Sequence, residues 1–498
     1  MMITCGRPSW SRTDRCSSAP TTTCSASPPR SDESTRLGIG TMKMPRTLLA
    51  GLLLAACIPA QDWPHWRGPN YDGSTEAKSL PTDFSRKKGV RWTADMPGPG
   101  ACTPIVVGDR IFLSSVDKER GKLVAMCLNR KTGKTLWKHD AGSGFGGDAT
   151  AGRRSNYASP SPTTDGERVI FFFGNGDLVA YSKDGKLLWR RNLQKDYGNF
   201  AFLWTFSASP TLWDGKIFLP ILQRDAPLGR GRGRGRGGRD GGDERNERKP
   251  IDSFVLALDP KTGKTLYKQA RASKAQAESR ECYATMVPFI NTDGRKEMLC
   301  VGGDVLTGHD PDTGKELWRW GTWNEGHRQR AWRLVPTAVA GSGVALVCAP
   351  KRAPVFAVKL GGSGEIGQEA GLAWQSEGRP NPVSSDVPTP AYADGNFYVL
   401  SDVRSALSKV GAKTGKVAWT VELPNDYRWR ASPTYADGKV WFIDHNGLVL
   451  VVDANTGEII KRTWMGESED DDQIRSSVVV AHGNLFIRTN AKLFCIGE

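Results

Sequence analysis

The chain has 498 residues, with 68 Lys+Arg against 53 Asp+Glu and a formal net charge of +15. A hydrophobic fraction of 38% with 17 Trp and 17 Phe is enough to bury a core, which excludes an intrinsically disordered chain. No run of 18 or more apolar residues follows residue 60, which excludes a later membrane-spanning helix, and 56 Gly point to a turn-rich β protein.

Residues 1–41 are rich in Ser, Thr, Pro and Arg without hydrophobic periodicity, and read as a non-native or disordered extension. From Met42 the pattern becomes that of a signal peptide over 42–60. Lys43 and Arg46 are its basic end, 48–56 its apolar stretch, and Ile58-Pro59-Ala60 the small-residue cleavage site before Gln61. Leu54-Ala55-Ala56-Cys57 overlaps it as a lipobox, so Cys57 is a lipidation candidate. Both readings export the protein to the periplasm or cell envelope, with an N-terminal lipid as the sole membrane contact expected. Removing residues 1–60 leaves a charge of +11 and six dispersed cysteines (Cys102, Cys127, Cys282, Cys300, Cys348, Cys495) with no CxxC or CxxCH pattern. They read as small buried thiols; a Cys282–Cys300 disulfide is the alternative in an oxidising compartment.

Residues 61–89 form a leader that contains Trp63-Pro64-His65-Trp66-Arg67-Gly68-Pro69 and Asp72-Gly73. A repeat fills 90–498. Lys-Thr-Gly-Lys-Thr-Leu-Trp at 131–137 recurs around Gly185 and Trp189, Gly263 and Tyr267, Gly314 and Trp318, and Gly415 and Trp419, as it does around Gly133 and Trp137. A weaker copy surrounds Gly457, and a degenerate one ends at Trp374. With Tyr267 counted as Trp, the steps are 52, 78, 51, 56 and 45 residues, so the period is near 50 once the insertion at 224–250 is removed. A second marker, Ala-Ser-Pro, stands at 158–160, 208–210 and 431–433. Thr-Gly and Asp-Gly supply the positive φ of hairpin turns, and runs such as Val169-Ile170-Phe171-Phe172-Phe173 are buried strands.

Four strands per period make one propeller blade, stable only when the ring closes. Opening strands near 102, 158, 207, 283, 334, 387, 431 and 475 count eight blades, with seven as the alternative. The last blade lacks an outer strand because the chain ends, and Val90-Arg91-Trp92-Thr93-Ala94 reads as that strand, supplied from the other end. The fold expected is an all-β, eight-bladed propeller of four-stranded antiparallel blades, with each repeat Trp on the outer strand wedged between neighbours.

The pattern at Ala257, Asp259, Thr262, Gly263 and Lys264 resembles the pyrroloquinoline-quinone (PQQ) repeat. That family includes quinoprotein alcohol dehydrogenases and BamB, a lipoprotein of outer-membrane assembly. The Trp63–Pro69 leader resembles that of secreted PQQ-like propellers of planctomycete type. The resemblance covers 62–498 and implies the propeller fold, while its members include proteins with and without cofactor.

A ligand site on this fold is expected at the channel mouth, in the loops that lead into the innermost strands. Arg154, Tyr157, Trp204, Tyr283, Arg330, Trp332, Arg430 and Arg475 lie in those loops and are the ligand-binding candidates. Guanidinium forks and aromatic faces suit a planar anion, so PQQ, an acidic peptide segment and an anionic sugar all stay open, beside the reading that these side chains only plug the channel. Glu281 is the carboxylate in this set with general-base character, although no partner for it is identified.

For a quinoprotein dehydrogenase the resemblance implies adjacent cysteines, a Ca²⁺ site and a catalytic Asp, and the chain has no Cys-Cys pair. The acidic run at 467–472 reads as a solvated loop rather than an oxygen-ligand site, the histidines are isolated, and no metal ligands are assigned. The Arg-Gly run at 229–237 reads as a disordered hairpin extension, and no nucleic-acid partner is expected of an exported chain. Two functions follow: a non-catalytic scaffold that binds cell-envelope proteins or a small anionic ligand, or a PQQ-dependent oxidoreductase of alcohols or sugars. The first is preferred, with no cofactor assigned.

Overall fold

The computed structural model describes residues 62–144, 156–227, 251–321, 331–377, 381–466, 471 and 473–497. The signal segment with Cys57, Arg154, Arg330 and nearly all of the insertion lie outside them.

The described strands form eight sheets, each built on four antiparallel strands, and two of them gain a short fifth strand in parallel. Numbered by their innermost strands, blades 1 to 8 begin at Ile105–Val107, Thr163–Thr164, Thr211–Trp213, Val287–Ile290, Val339–Gly341, Ala391–Ala393, Thr434–Ala436 and Val479–Ala481. Blade 1 is typical: Arg110–Asp117 and Lys122–Asn129 follow, and Thr135–Ser143 is its outer strand. The middle strands are almost continuously buried because neighbouring blades cover both faces. The outer strands alternate, since only one face meets a neighbour.

Ring closure follows the sequence expectation. Val90–Asp95 pairs antiparallel with Lys492–Ile496, in a register that sets Trp92 opposite Cys495, and completes blade 8 with the start of the repeat region.

The repeat glycine and the repeat Trp are two halves of one joint. Gly263 has φ +70°, and a Cβ there would stand 2.6 Å from the Trp189 ring of the preceding blade. The indole then donates to the Pro260 carbonyl at 2.9 Å. Trp92 on Gly133, Trp137 on Gly185, Tyr267 on Gly314, Trp374 on Gly415 and Trp419 on Gly457 repeat the contact. Each of these side chains donates to a carbonyl of the same turn.

Trp318 departs from the wedge expected of it. Blade 5 replaces the Thr-Gly-Lys turn by an excursion that contains Gly364–Ile366 and the short helix Gln368–Gly371, so Trp318 packs on Gly308 of its own blade and not on a turn glycine of the next. Its indole instead donates to the buried Glu297 of its own blade at 2.6 Å. Trp320 takes the inter-blade role, donating to the Gln368 carbonyl at 3.0 Å while packing against Gly371. At the joint of blades 7 and 8, where Lys461 stands in place of the repeat Trp, leader residues Leu80 and Phe84 complete the core with Trp441.

A second ring runs around the channel. At the start of each innermost strand a Ser or Thr hydroxyl accepts the backbone N–H of its neighbour. The described links run from Ser477 to Thr103, Ser161, Ser209, Thr285, Thr337, Thr389 and Ser432, at 2.9–3.1 Å. The Ser-Pro marker is one form of this device. In blade 2 the matching position is Ser161, two residues after the Ser159 of the sequence marker.

The leader closes one end of the channel. Trp63 pairs with Val106, and Ser74–Thr75 adds a parallel strand to Thr434–Ala436. His65 bonds Thr163, and Tyr71 donates to the Leu212 carbonyl at 2.8 Å. Asp62 accepts from Gly108 and pairs with His482, both in turns that leave innermost strands. The leader therefore covers the face where innermost strands end, opposite the loops that lead into them.

The six described cysteines are free and buried, in line with the thiol reading and not with a Cys282–Cys300 bridge. Burial pushes the Cys282 thiol up to about 12. Asp471 is the described member of the acidic run, and it is buried rather than solvated, accepting the Asn490 and Ala491 amides at 2.8 and 3.1 Å.

Candidate anion site at the channel mouth

The loops that enter blades 3, 4, 5, 6, 7 and 8 surround a cavity of about 110 Å³. Its lining is Trp204, Thr205, Ser207, Tyr283, Arg333, Val335, Val387, Arg430 and Arg475: three guanidiniums, two aromatic faces and no carboxylate.

The wall that carries Trp204 is set from below. Asn192 caps the short helix Leu193–Tyr197, Gln194 accepts the Phe200 amide at 2.7 Å, and Gln223 accepts that of Ala201 at 2.9 Å. Glu281 then fixes the two aromatic walls. It is fully buried, accepting from the Leu203 amide at 3.0 Å, the Tyr283 hydroxyl at 2.5 Å and Arg224 Nε at 2.6 Å. The Tyr283 oxygen in turn accepts the Trp204 amide at 3.2 Å.

Two buried carboxylates stand behind the arginines. Arg333 makes a bidentate pair with Asp386, both contacts at 3.0 Å. Burial opposes the charge of Asp386, yet the paired guanidinium holds it below the usual carboxylate range. Asp402 accepts the Asp386 amide through Oδ1, while its Oδ2 lies 3.4 Å from Arg430 Nε. Neither of these last two atoms makes a hydrogen bond. Burial, then the neighbouring Asp386, push Asp402 upward, and burial lowers Arg430. His445, nearby and buried, is driven down to about 2 by desolvation and then by the positive field of Arg475, Arg430 and Arg428, so it adds no charge. The cavity is a positive, aromatic-walled recess.

Of the candidates read from sequence, Trp204, Tyr283, Arg430 and Arg475 meet on this cavity. Trp332 does not line it; its ring lies 5.8 Å from the Lys351 ammonium. Tyr157 packs at the joint of blades 1 and 2, against Gly144 and Gly174. Glu281 does not line the cavity either, and its bonds to the walls replace the general-base role read from sequence with a positioning one. Arg333, Thr205, Ser207, Val335 and Val387 were missed, and the signal for them is their place in the same strand-entry loops.

Pyrroloquinoline quinone has three fused rings and three carboxylates. A core cavity of roughly 150 Å³ admits a single benzene, so the cavity at this mouth matches one ring or one carboxylate-bearing side chain. Among the described residues no three His, Cys, Asp or Glu gather to hold a metal ion. The described lining offers arginines and aromatic faces and no carboxylate to hold a Ca²⁺ ion beside that cofactor.

A family model described as outer membrane protein assembly factor BamB matches residues 85–220 and 302–496. A polyvinylalcohol dehydrogenase of Pseudomonas sp is 29% identical over 217 residues, 42% of this chain and 29% of that protein. One from Sphingopyxis sp. (strain 113P3) is 28% identical over 166 residues, 32% of this chain and 23% of that protein. The matches thus span less than a third of those relatives' length. Among solved structures, the quinohemoprotein alcohol dehydrogenase of Comamonas testosteroni superposes with a TM-score of 0.59 at 12% identity, covering 88% of this chain and 81% of that one. BamB of Moraxella catarrhalis gives 0.55 at 12% identity, covering 84% and 100%. At these identities the two structures share the fold.

Proposed function

The chain belongs to the PQQ-repeat propeller family described by BamB, and from that premise we propose that it is an exported, non-catalytic binding scaffold whose mouth takes a carboxylate of a cell-envelope partner. The observation that carries this reading is the lining itself: three arginines and two aromatic rings around about 110 Å³, with no carboxylate, His or Cys among the lining residues. An Asp or Glu side chain, or a chain terminus, fills such a volume and meets the guanidiniums as charge-assisted hydrogen bonds. The remaining rim and the blade edges then serve as a rigid platform. Export follows from the signal segment, with Cys57 as its anchor if lipidated.

A second reading, a PQQ-dependent oxidoreductase, draws on the similarity to polyvinylalcohol dehydrogenases. The size of the mouth opposes it. One titration separates the two. The full chain is mixed with benzoate, with N-acetylglutamate and with PQQ, the last with and without Ca²⁺. Trp fluorescence and melting temperature are read, then dye reduction with polyvinyl alcohol is assayed. The scaffold reading expects saturable, salt-sensitive carboxylate binding and no dye reduction. PQQ-dependent dye reduction would establish the second reading, and no response to any carboxylate would overturn the first.

A further inference from the structure

On the opposite face, the leader buries a charge that the protein answers only in part. Arg67 is 2% exposed. Its Nη2 donates to the Pro390 and Pro433 carbonyls at 2.8 and 3.1 Å, which ties the leader to blades 6 and 7. Its Nε and Nη1 are buried and have no hydrogen-bond partner. The carboxylate that acts on it, Asp72, is committed elsewhere, with Oδ1 accepting both the amide and the hydroxyl of Ser74 at 2.8 Å. Desolvation, opposed by the field of Asp72, pulls the guanidinium down to about 10, which leaves it charged at any physiological pH.

Arg67 faces a small cavity of about 10 Å³ between the leader and the innermost strands of blades 3 and 4, lined also by His65, Trp66, Tyr71, Thr211 and Met286. The polar groups of that lining are spent within the protein. The Tyr71 hydroxyl donates to Leu212, His65 lies between Tyr71 and Thr163, and Thr211 donates to the Met286 carbonyl. The space suits a single occupant of water or halide size, and a sulfate or phosphate is too large for it. A buried guanidinium that keeps two unpaired N–H groups while its carboxylate neighbour is held by Ser74 is costly, so an anion is the occupant that relieves it.

We infer that this end of the channel is a monatomic-anion site, in which a chloride ion sits against Arg67 and locks the leader to the inner ring. The ligand binds the folded chain only, because Arg67, Pro390 and Pro433 come together only there, so it stabilises by mass action.

The test uses the full chain in two ways. Raising chloride from about 1 mM to about 300 mM at constant ionic strength, with gluconate as the balancing anion, is expected to raise the melting temperature by about 2 °C. Bromide should reproduce the effect, and sulfate should not. Arg67→Met is expected to lose this halide dependence. Because that variant removes a buried anchor and can fail to fold, crystals of the unsubstituted protein grown in bromide give the independent reading: an anomalous peak beside Arg67. A featureless anomalous map at Arg67, a melting temperature indifferent to halide, or a halide effect that survives in Arg67→Met would each overturn the inference.

Discussion

Arg430 and Asp402 stand at ion-pair distance without a hydrogen bond, whereas Arg333 and Asp386 are locked by two. This asymmetry says which arginine is available to a ligand. Arg430→Gln should weaken benzoate binding about tenfold or more, the scale of one charge-assisted contact. Asp402→Asn removes the competing counter-charge and should tighten it several-fold, measured by the same fluorescence titration; weakening would show that Asp402 builds the site instead. His309 offers a test of burial through pH. It is fully buried between the Gly314 carbonyl and Thr307, and desolvation lowers it to about 4. Above about pH 6.5 the ring is neutral in both folded and unfolded chains and adds no pH dependence. Between there and about 4 the unfolded chain binds a proton that the folded chain refuses, so stability is lost as pH falls, at about 1.4 kcal/mol per unit. His309→Gln lacks this penalty. Its stability deficit against the parent, from urea unfolding, should therefore shrink by about 2 kcal/mol from pH 7 to pH 5. Four of the residues singled out in the sequence line one cavity because arginines and aromatics cluster in the strand-entry loops. Sequence could not place Trp332 or Tyr157, since the direction of a loop side chain depends on its three-dimensional neighbours. Nor could it find partners for Glu281, because the Arg224, Tyr283 and Leu203 contacts that occupy it come together only in the folded chain.

At the scale of the blade, the joint between a glycine and a tryptophan explains why the repeat was so legible. Gly263 needs both a positive φ and the absence of a Cβ, and the Trp189 indole needs the carbonyl that this turn exposes. Two independent constraints on one short segment leave a visible signature. Trp189→Ala should cost about 3–5 kcal/mol in chemical denaturation, the range for removing a large packed aromatic. Gly263→Ala should destabilise by a comparable amount, because a Cβ at that φ also strikes the ring. Trp318 was misread because the motif around it is intact, while the fault lies in the next blade, where the accepting turn is gone. Trp320→Ala, and not Trp318→Phe, is therefore the change expected to loosen blade 5 from blade 4. The hydroxyl ring escaped notice for a different reason: Ser, Thr and a shifted register satisfy the same N–H, so the requirement is for an oxygen and not for a residue type.

At the scale of the whole ring, the ends of the chain hold the structure together twice. Val90–Asp95 finishes blade 8 covalently distant from its own sheet, and the leader then threads back over the channel and into the joint of blades 7 and 8. Trp63, Leu80 and Phe84 are all buried by this route, each burial contributing about 2–3 kcal/mol. Deleting residues 62–89 while keeping 90–498 should thus remove more than 5 kcal/mol, read as a melting temperature lower by about 5 °C or more in a chain of this size. The mouth should answer differently. Its lining comes from loops that enter the innermost strands, whereas the leader covers the turns that leave them, and the leader supplies none of the mouth's lining residues. Carboxylate affinity in the deletion variant should stay within about twofold of the parent, because none of the deleted residues lines the mouth. Loss of mouth binding in a variant that still folds would mean that the leader sets the spacing of the inner strands through the channel, and that the two faces form one coupled site.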